Sequence, residues 1–157
     1  MNLEKYKQLL AEIKLHEARL VAVSKTKPAE DILALYTTGQ RVFGENKPQE
    51  MVTKFKVLPE DIEWHLIGHL QTNKVKYIAP FVSMIHSVDS VKLLQEIEKQ
   101  AQKNNRTVDC LLQIFIATEE TKFGLSAEEL YELLTSVEFS AMENVRIRGL
   151  MGMATNT

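Results

Sequence analysis

A chain of 157 residues with 45% hydrophobic and 25% charged side chains has ordinary globular composition and enough length for a core of its own. The formal net charge of -2 carries no basic excess, so no nucleic-acid partner is expected. No apolar stretch approaches the roughly 20 residues that cross a bilayer, so no membrane association is expected either.

The pattern along the chain repeats as apolar strand, polar turn, amphipathic helix. Residues 1–6 are polar and lack a signal-peptide core. Leu3, Tyr6, Leu10 and Ile13 mark a first helix. A first strand is predicted over 20–24, then a helix with Ile32, Leu35 and Tyr36 as its stripe, ended by Gly39. Residues 41–44 read as the second strand, and a helix starting near Pro48 buries Met51, Val52, Phe55 and Leu58. The third strand is 62–67, followed by a short helix with Val75, Ile78 and Ala79 that Pro80 stops. The fourth strand is 81–87. Asp89 or Ser90 caps the next helix, whose inward positions are Val91, Leu94, Ile97 and Ala101. The fifth strand covers 108–117; its Cys110, the single cysteine, forms no internal disulfide, suits a reducing compartment and reads as a buried, inert thiol. With the leader-free start, this makes a cytoplasmic location the expectation. Ser126-Ala127-Glu128-Glu129 is a capping box, continued by Leu130, Leu133, Leu134 and Val137 at helical spacing. A sixth strand covers 145–151.

Alternating strands and helices imply a parallel sheet, because parallel neighbours need a crossover. No linker or low-complexity stretch divides the chain, so residues 1–157 are expected to form a single domain. The fold class is α/β. Two architectures fit: an open doubly wound parallel sheet, or a (β/α) TIM-type barrel with about six of the eight units.

In either architecture, chemistry collects just past the carboxyl ends of the strands. Lys25 follows the first apolar run, with Val21, Val23 and Lys25 on one side of the strand. Loss of hydration at a buried strand end, with Lys27 adding positive charge, would lower its pKa and favour a nucleophilic amine. A strand-end lysine reaching solvent fits the same residues. Glu45-Asn46-Lys47 follow the second run, and Asn46 alone reads equally as a turn or cap residue. His65, Gly68, His69, Gln71 and Asn73 surround the third, and His65 could be a hydrogen-bonded core histidine. His86, Ser87 and Asp89 follow the fourth, Thr118 and Glu119 the fifth, and Met151, Gly152 and Thr155 the sixth. His65 and His69 stand at i, i+4 with a glycine between and no carboxylate set, so no metal site is expected. No Ser-His-Asp order, Gly-rich phosphate motif or cysteine cluster is present.

Six segments carry a resemblance: Val23-Ser24-Lys25-Thr26-Lys27-Pro28, Phe43-Gly44-Glu45-Asn46, the run from Trp64 to Lys74, His86-Ser87-Val88-Asp89, Lys122-Phe123-Gly124 and Arg148-Gly149-Leu150-Met151. In this order they resemble the pyridoxal phosphate homeostasis proteins, which share a fold with the N-terminal barrel domain of alanine racemase. The resemblance implies a fold-type III barrel in which Lys25 forms a covalent aldimine with pyridoxal 5'-phosphate. It implies Asn46 beside the cofactor ring, His65 and Gly68 around the pocket mouth, and Met151 lining the pocket. It implies cofactor binding, buffering or delivery, with no catalytic residue assigned. The partner expected is this small-molecule cofactor, and the chain is expected to be a monomer or weak homodimer. The family pattern continues beyond Thr157 into two more strand–helix units, whose Ser- and Gly-rich turns grip the phosphate. Their absence from these 157 residues makes full cofactor occupancy doubtful, and suits either a piece of a longer protein or a short variant pairing with another copy. Two rival functions remain: an amino-acid racemase, which would need a tyrosine acid/base in no matching motif here, and a cofactor-free interaction module on the same fold.

Overall fold

The computed structural model describes residues 3–116 and 123–153. Six strands form one sheet: β1 Ala22–Val23, β2 Val42–Glu45, β3 Glu63–Leu66, β4 Met84–Val88, β5 Val108–Ile114 and β6 Val145–Gly152. Every neighbouring pair is parallel, and the spatial order is the chain order. A doubly wound sheet must reverse its strand order somewhere, so that helices cover both faces. No reversal occurs here. Crossovers of one hand therefore place their helices on one face, as in a barrel. The open-sheet alternative gives way to an incomplete (β/α) barrel, with no pairing between β6 and β1 among the described residues.

Helix α1 is Leu3–Leu15, and α2 Ala29–Tyr36 and α3 Pro48–Phe55 follow β1 and β2. A short 3-10 turn leads into α4 Val75–Ile78, and α5 Val91–Lys103 joins β4 to β5. Helices α6 Ala127–Thr135 and α7 Val137–Ser140 precede β6. On the helix side, Phe43, Trp64, Leu66, Ile85, Cys110 and Leu112 meet Ile32, Met51, Ile78, Leu94, Ile97 and Leu133 in one core. Burial and the neighbouring Asp109 charge push the Cys110 thiol up to about 12. Strand alternation turns the intervening residues to the inner face, where Val23, Gly44, His65, Met84, Asp109 and Arg146 stand level with one another.

The elements depart from expectation at identifiable places. Strand β1 has two residues rather than five, and lies at the sheet edge with β2 as its sole partner. Phe81–Ser83 make a turn before β4: the Phe81 and Val82 amides bond back to Ile78. The expected helix stripe beyond Leu133 breaks where Ser136 leaves helical geometry and starts α7, leaving Val137 81% exposed. Ser90, not Asp89, caps α5 by accepting from the Leu93 amide at 3.1 Å. Leu93, not Val91, is the first buried residue of that helix. The capping box of α6 forms as expected between Ser126 and Glu129. No helix among the described residues is long and apolar enough to cross a membrane.

Candidate functional site

Lys25 lies in the turn between β1 and α2 rather than on the strand itself. The Ser24 amide donates to the Gly44 carbonyl at 2.9 Å and the Lys27 amide to the Ser24 carbonyl at 3.0 Å, closing the turn. Thr26 adopts φ 62°, a left-handed conformation uncommon for a β-branched residue. Pro28 then enters α2 with extended geometry at its N-cap. Lys25 is exposed and Val23 is 54% exposed, so the described residues do not supply the dehydration expected of a buried strand end. An edge strand facing an unclosed inner surface explains the difference.

A cavity of about 420 Å3 opens beside this turn at the carboxyl ends of the strands. Of the five expected site residues, Lys25, Asn46 and Gly68 line it. His69, Gln113, Phe123 and Met153 complete its polar and aromatic wall, while Val23 and Ile67 supply apolar surface. Gly68 is held against Asn46 so closely that an added Cβ would stand 2.5 Å from the Asn46 carbonyl oxygen and 2.8 Å from its Cα. Ser87 Oγ donates to the Gly68 carbonyl at 2.6 Å, so the ends of β2, β3 and β4 are held together at the cavity rim.

Residues 123–125 return alongside the end of β5. The Leu125 amide donates to the Gln113 carbonyl at 2.8 Å and the Phe115 amide to the Leu125 carbonyl at 2.9 Å. Gln113 Nε2 donates to the Phe123 carbonyl at 3.0 Å, fixing both on the cavity wall. The His69 ring stacks on Phe123 at 4.0 Å, with its Nδ1 3.3 Å from Asp89 Oδ2. His69 and Gln113 carry polar side chains to the cavity that the five named residues do not include. Position after an apolar run was the signal for His69; Gln113 lies inside a strand and gave none.

The structure places His65 and Met151 elsewhere. His65 stands on the inner face level with Gly44, a layer below the cavity wall, and is only 4% exposed. Its Nδ1 lies 2.8 Å from His86 Nε2, so one ring donates to the other. Burial, then the neighbouring His86 charge, lowers the His65 pKa to about 4, and burial lowers that of His86. Met151 pairs with Gln113 in the β6 register, but Met153 is the methionine on the cavity wall. Thr118, Glu119, Lys122 and Thr155, also read as strand-end or motif residues, lie outside the described residues.

A buried charge network lies under the Lys25 turn. Lys54 Nζ donates to Glu45 Oε1 at 2.6 Å, to Glu50 Oε1 at 2.7 Å and to the Ser24 carbonyl at 2.7 Å. Ser24 Oγ donates to Glu45 Oε1 at 2.5 Å, and the Thr26 amide donates to Glu50 Oε1 at 2.7 Å. The hydrogen bond from Lys54 holds the Glu50 carboxyl below the usual carboxylate range. Among the described residues no group of three or more His, Cys, Asp or Glu could hold a metal.

The family model described as alanine racemase, N-terminal domain, matches residues 1–156. A pyridoxal phosphate homeostasis protein of Aquifex aeolicus is 46% identical over 136 residues, covering 85% of this chain and 58% of the relative. The chain thus spans under two thirds of that relative's length. The structure of PipY from Synechococcus elongatus with pyridoxal phosphate bound superposes with a TM-score of 0.78 at 36% identity, covering 92% of this chain and 68% of PipY. An alanine racemase of Bartonella henselae superposes at 0.63 with 22% identity, covering 84% of this chain and 37% of the enzyme, a likeness of fold alone.

Proposed function

The chain belongs to the alanine racemase N-terminal domain family, and from that premise we propose that it binds pyridoxal 5'-phosphate at the Lys25 cavity and serves intracellular cofactor homeostasis without robust catalysis. The observation that carries the reading is one cavity, at the carboxyl ends of parallel strands, with the Lys25 amine and the Asn46 amide both in its wall. The donor set fits the aldehyde and ring of this cofactor. Lys25 is an accessible primary amine suited to an aldehyde, and Asn46 offers a donor and an acceptor to ring substituents. Gly68, lacking a side chain, lets Asn46 sit against the end of β3 instead of being displaced. Phe123 and Met153 give an aromatic and a polarizable wall for a flat heteroaromatic ring. When bound, the cofactor supplies an electrophilic aldehyde and an electron-withdrawing ring.

The name of the Aquifex relative and the cofactor bound to PipY both support this reading. The amino-acid racemase and the cofactor-free interaction module are the competing functions. In the deciding experiment, the protein is incubated with pyridoxal 5'-phosphate, reduced with borohydride and mapped by peptide mass. The pyridoxyl adduct falls on Lys25 and vanishes in Lys25→Ala; an adduct that survives in that variant at the wild-type level overturns the assignment. Exchange of the alanine α-proton no faster than with free cofactor then separates binding from racemisation.

A further inference from the structure

We propose that Lys54, with Glu50 and Glu45, is a positioning device for the Lys25 amine, a role that rests on the cofactor reading above. The residues on either side of Lys25 are each tied to this network. Lys54 Nζ donates to the Ser24 carbonyl at 2.7 Å, and the Thr26 amide donates to Glu50 Oε1 at 2.7 Å. The chain between these two anchors is Lys25 alone.

The turn needs such anchors. Strand β1 has two paired residues and a partner on one side only, so its ladder constrains the following turn weakly. Thr26 is held at φ 62°, a left-handed conformation that a β-branched residue adopts only under restraint. Released from Glu50, the Thr26 peptide has a lower-energy conformation available, and its rotation redirects the Lys25 side chain.

Stability alone accounts poorly for the network. Lys54 and Glu45 have side-chain exposures of 8% and 0%, and buried ion pairs of this type commonly give little net stabilisation over an apolar replacement. Among the described residues Glu45 Oε2 is buried without a hydrogen-bond partner, an arrangement a purely stabilising cluster would avoid. The network instead fixes two backbone groups beside Lys25, the one lysine on the cavity wall among the described residues.

Lys54→Met strands two carboxylates without their shared cation and can lose the fold, so Glu50 variants carry the test. Glu50 is partly exposed, and its removal leaves Lys54 its bond to Glu45. In Glu50→Ala, borohydride-fixed pyridoxylation of Lys25 falls about five- to tenfold, while labelling of the distant Lys103 stays constant. Glu50→Gln keeps an acceptor for the Thr26 amide and stays within about twofold of wild type. Exchange of the Thr26 amide, followed by NMR without cofactor, rises about tenfold in Glu50→Ala and not in Glu50→Gln. A folded Glu50→Ala protein with wild-type labelling of Lys25, an equal loss at Lys103, or unchanged Thr26 exchange each overturns the positioning role. Failure of the wild-type protein to label Lys25 above Lys103 overturns instead the cofactor reading beneath it.

Discussion

The contact between Gly68 and Asn46 shows how one missing atom shapes the cavity. A methyl group at Gly68 would overlap the Asn46 backbone, and backbone cannot yield as the tip of a side chain does. Gly68→Ala is therefore expected to cost about 1–3 kcal/mol in urea denaturation and to reduce cofactor labelling of Lys25 through displacement of Asn46. The strand-end placement of Lys25, Asn46 and Gly68 is legible in the sequence because each follows an apolar run, where parallel α/β folds gather polar groups, whereas their cofactor roles come from the resemblance. The interior placement of Lys54 is not legible. A Glu50–Lys54 pair at i, i+4 ordinarily marks a solvated helix face, and only packing against Ser24 and Glu45 makes it interior. His65 was ambiguous for a similar reason: alternation gives its side of the strand but not its depth along the inner face.

At the level of elements, periodicity recovered all six strands and most helix faces, but it missed their ends. Strand ends depend on tertiary pairing that periodicity does not report: β1 at one edge has two residues, whereas β6 at the other edge has eight. Helical spacing continued through Leu134 and Val137, yet Ser136 starts a new cap by accepting from the Phe139 amide. Strands β3 and β4 are joined across the inner face by the His65–His86 bond, which ties their stability to pH. Both imidazoles have lowered pKa values in the fold, His65 about 4, so the unfolded chain binds more protons between there and pH 6.5. Stability accordingly rises with pH across that window and levels off above it. Arg19 opposes protonation of His65, whereas Glu63 and Asp109 favour it, so the net shift reflects burial first. A loss of about 1–3 kcal/mol in thermal or urea unfolding is expected between pH 7 and pH 5, and His65→Gln flattens the curve. Glu50 contributes in the same direction, its share being lost as pH falls from the ordinary carboxylate value of 4.5 through its lowered folded value.

For the molecule as a whole, the uninterrupted strand order is the decisive property. It puts the helices and the apolar core on one face and leaves the other face to His65, His86, Asp109 and Arg146. Alternating strands and helices could not distinguish this winding from a doubly wound sheet, because both obey the same local pattern; the difference lies in strand neighbours many residues apart. Cys110 lies in that core at 0% exposure, with its thiol held near 12. It is thus shut off twice, by access and by ionisation. Alkylation of this single thiol in native buffer should proceed only through opening events that part β4, β5 and the α5 layer. Iodoacetamide uptake followed by mass spectrometry then becomes a clock for native-state breathing, slowed if a bound ligand braces the strand ends and unchanged if it does not.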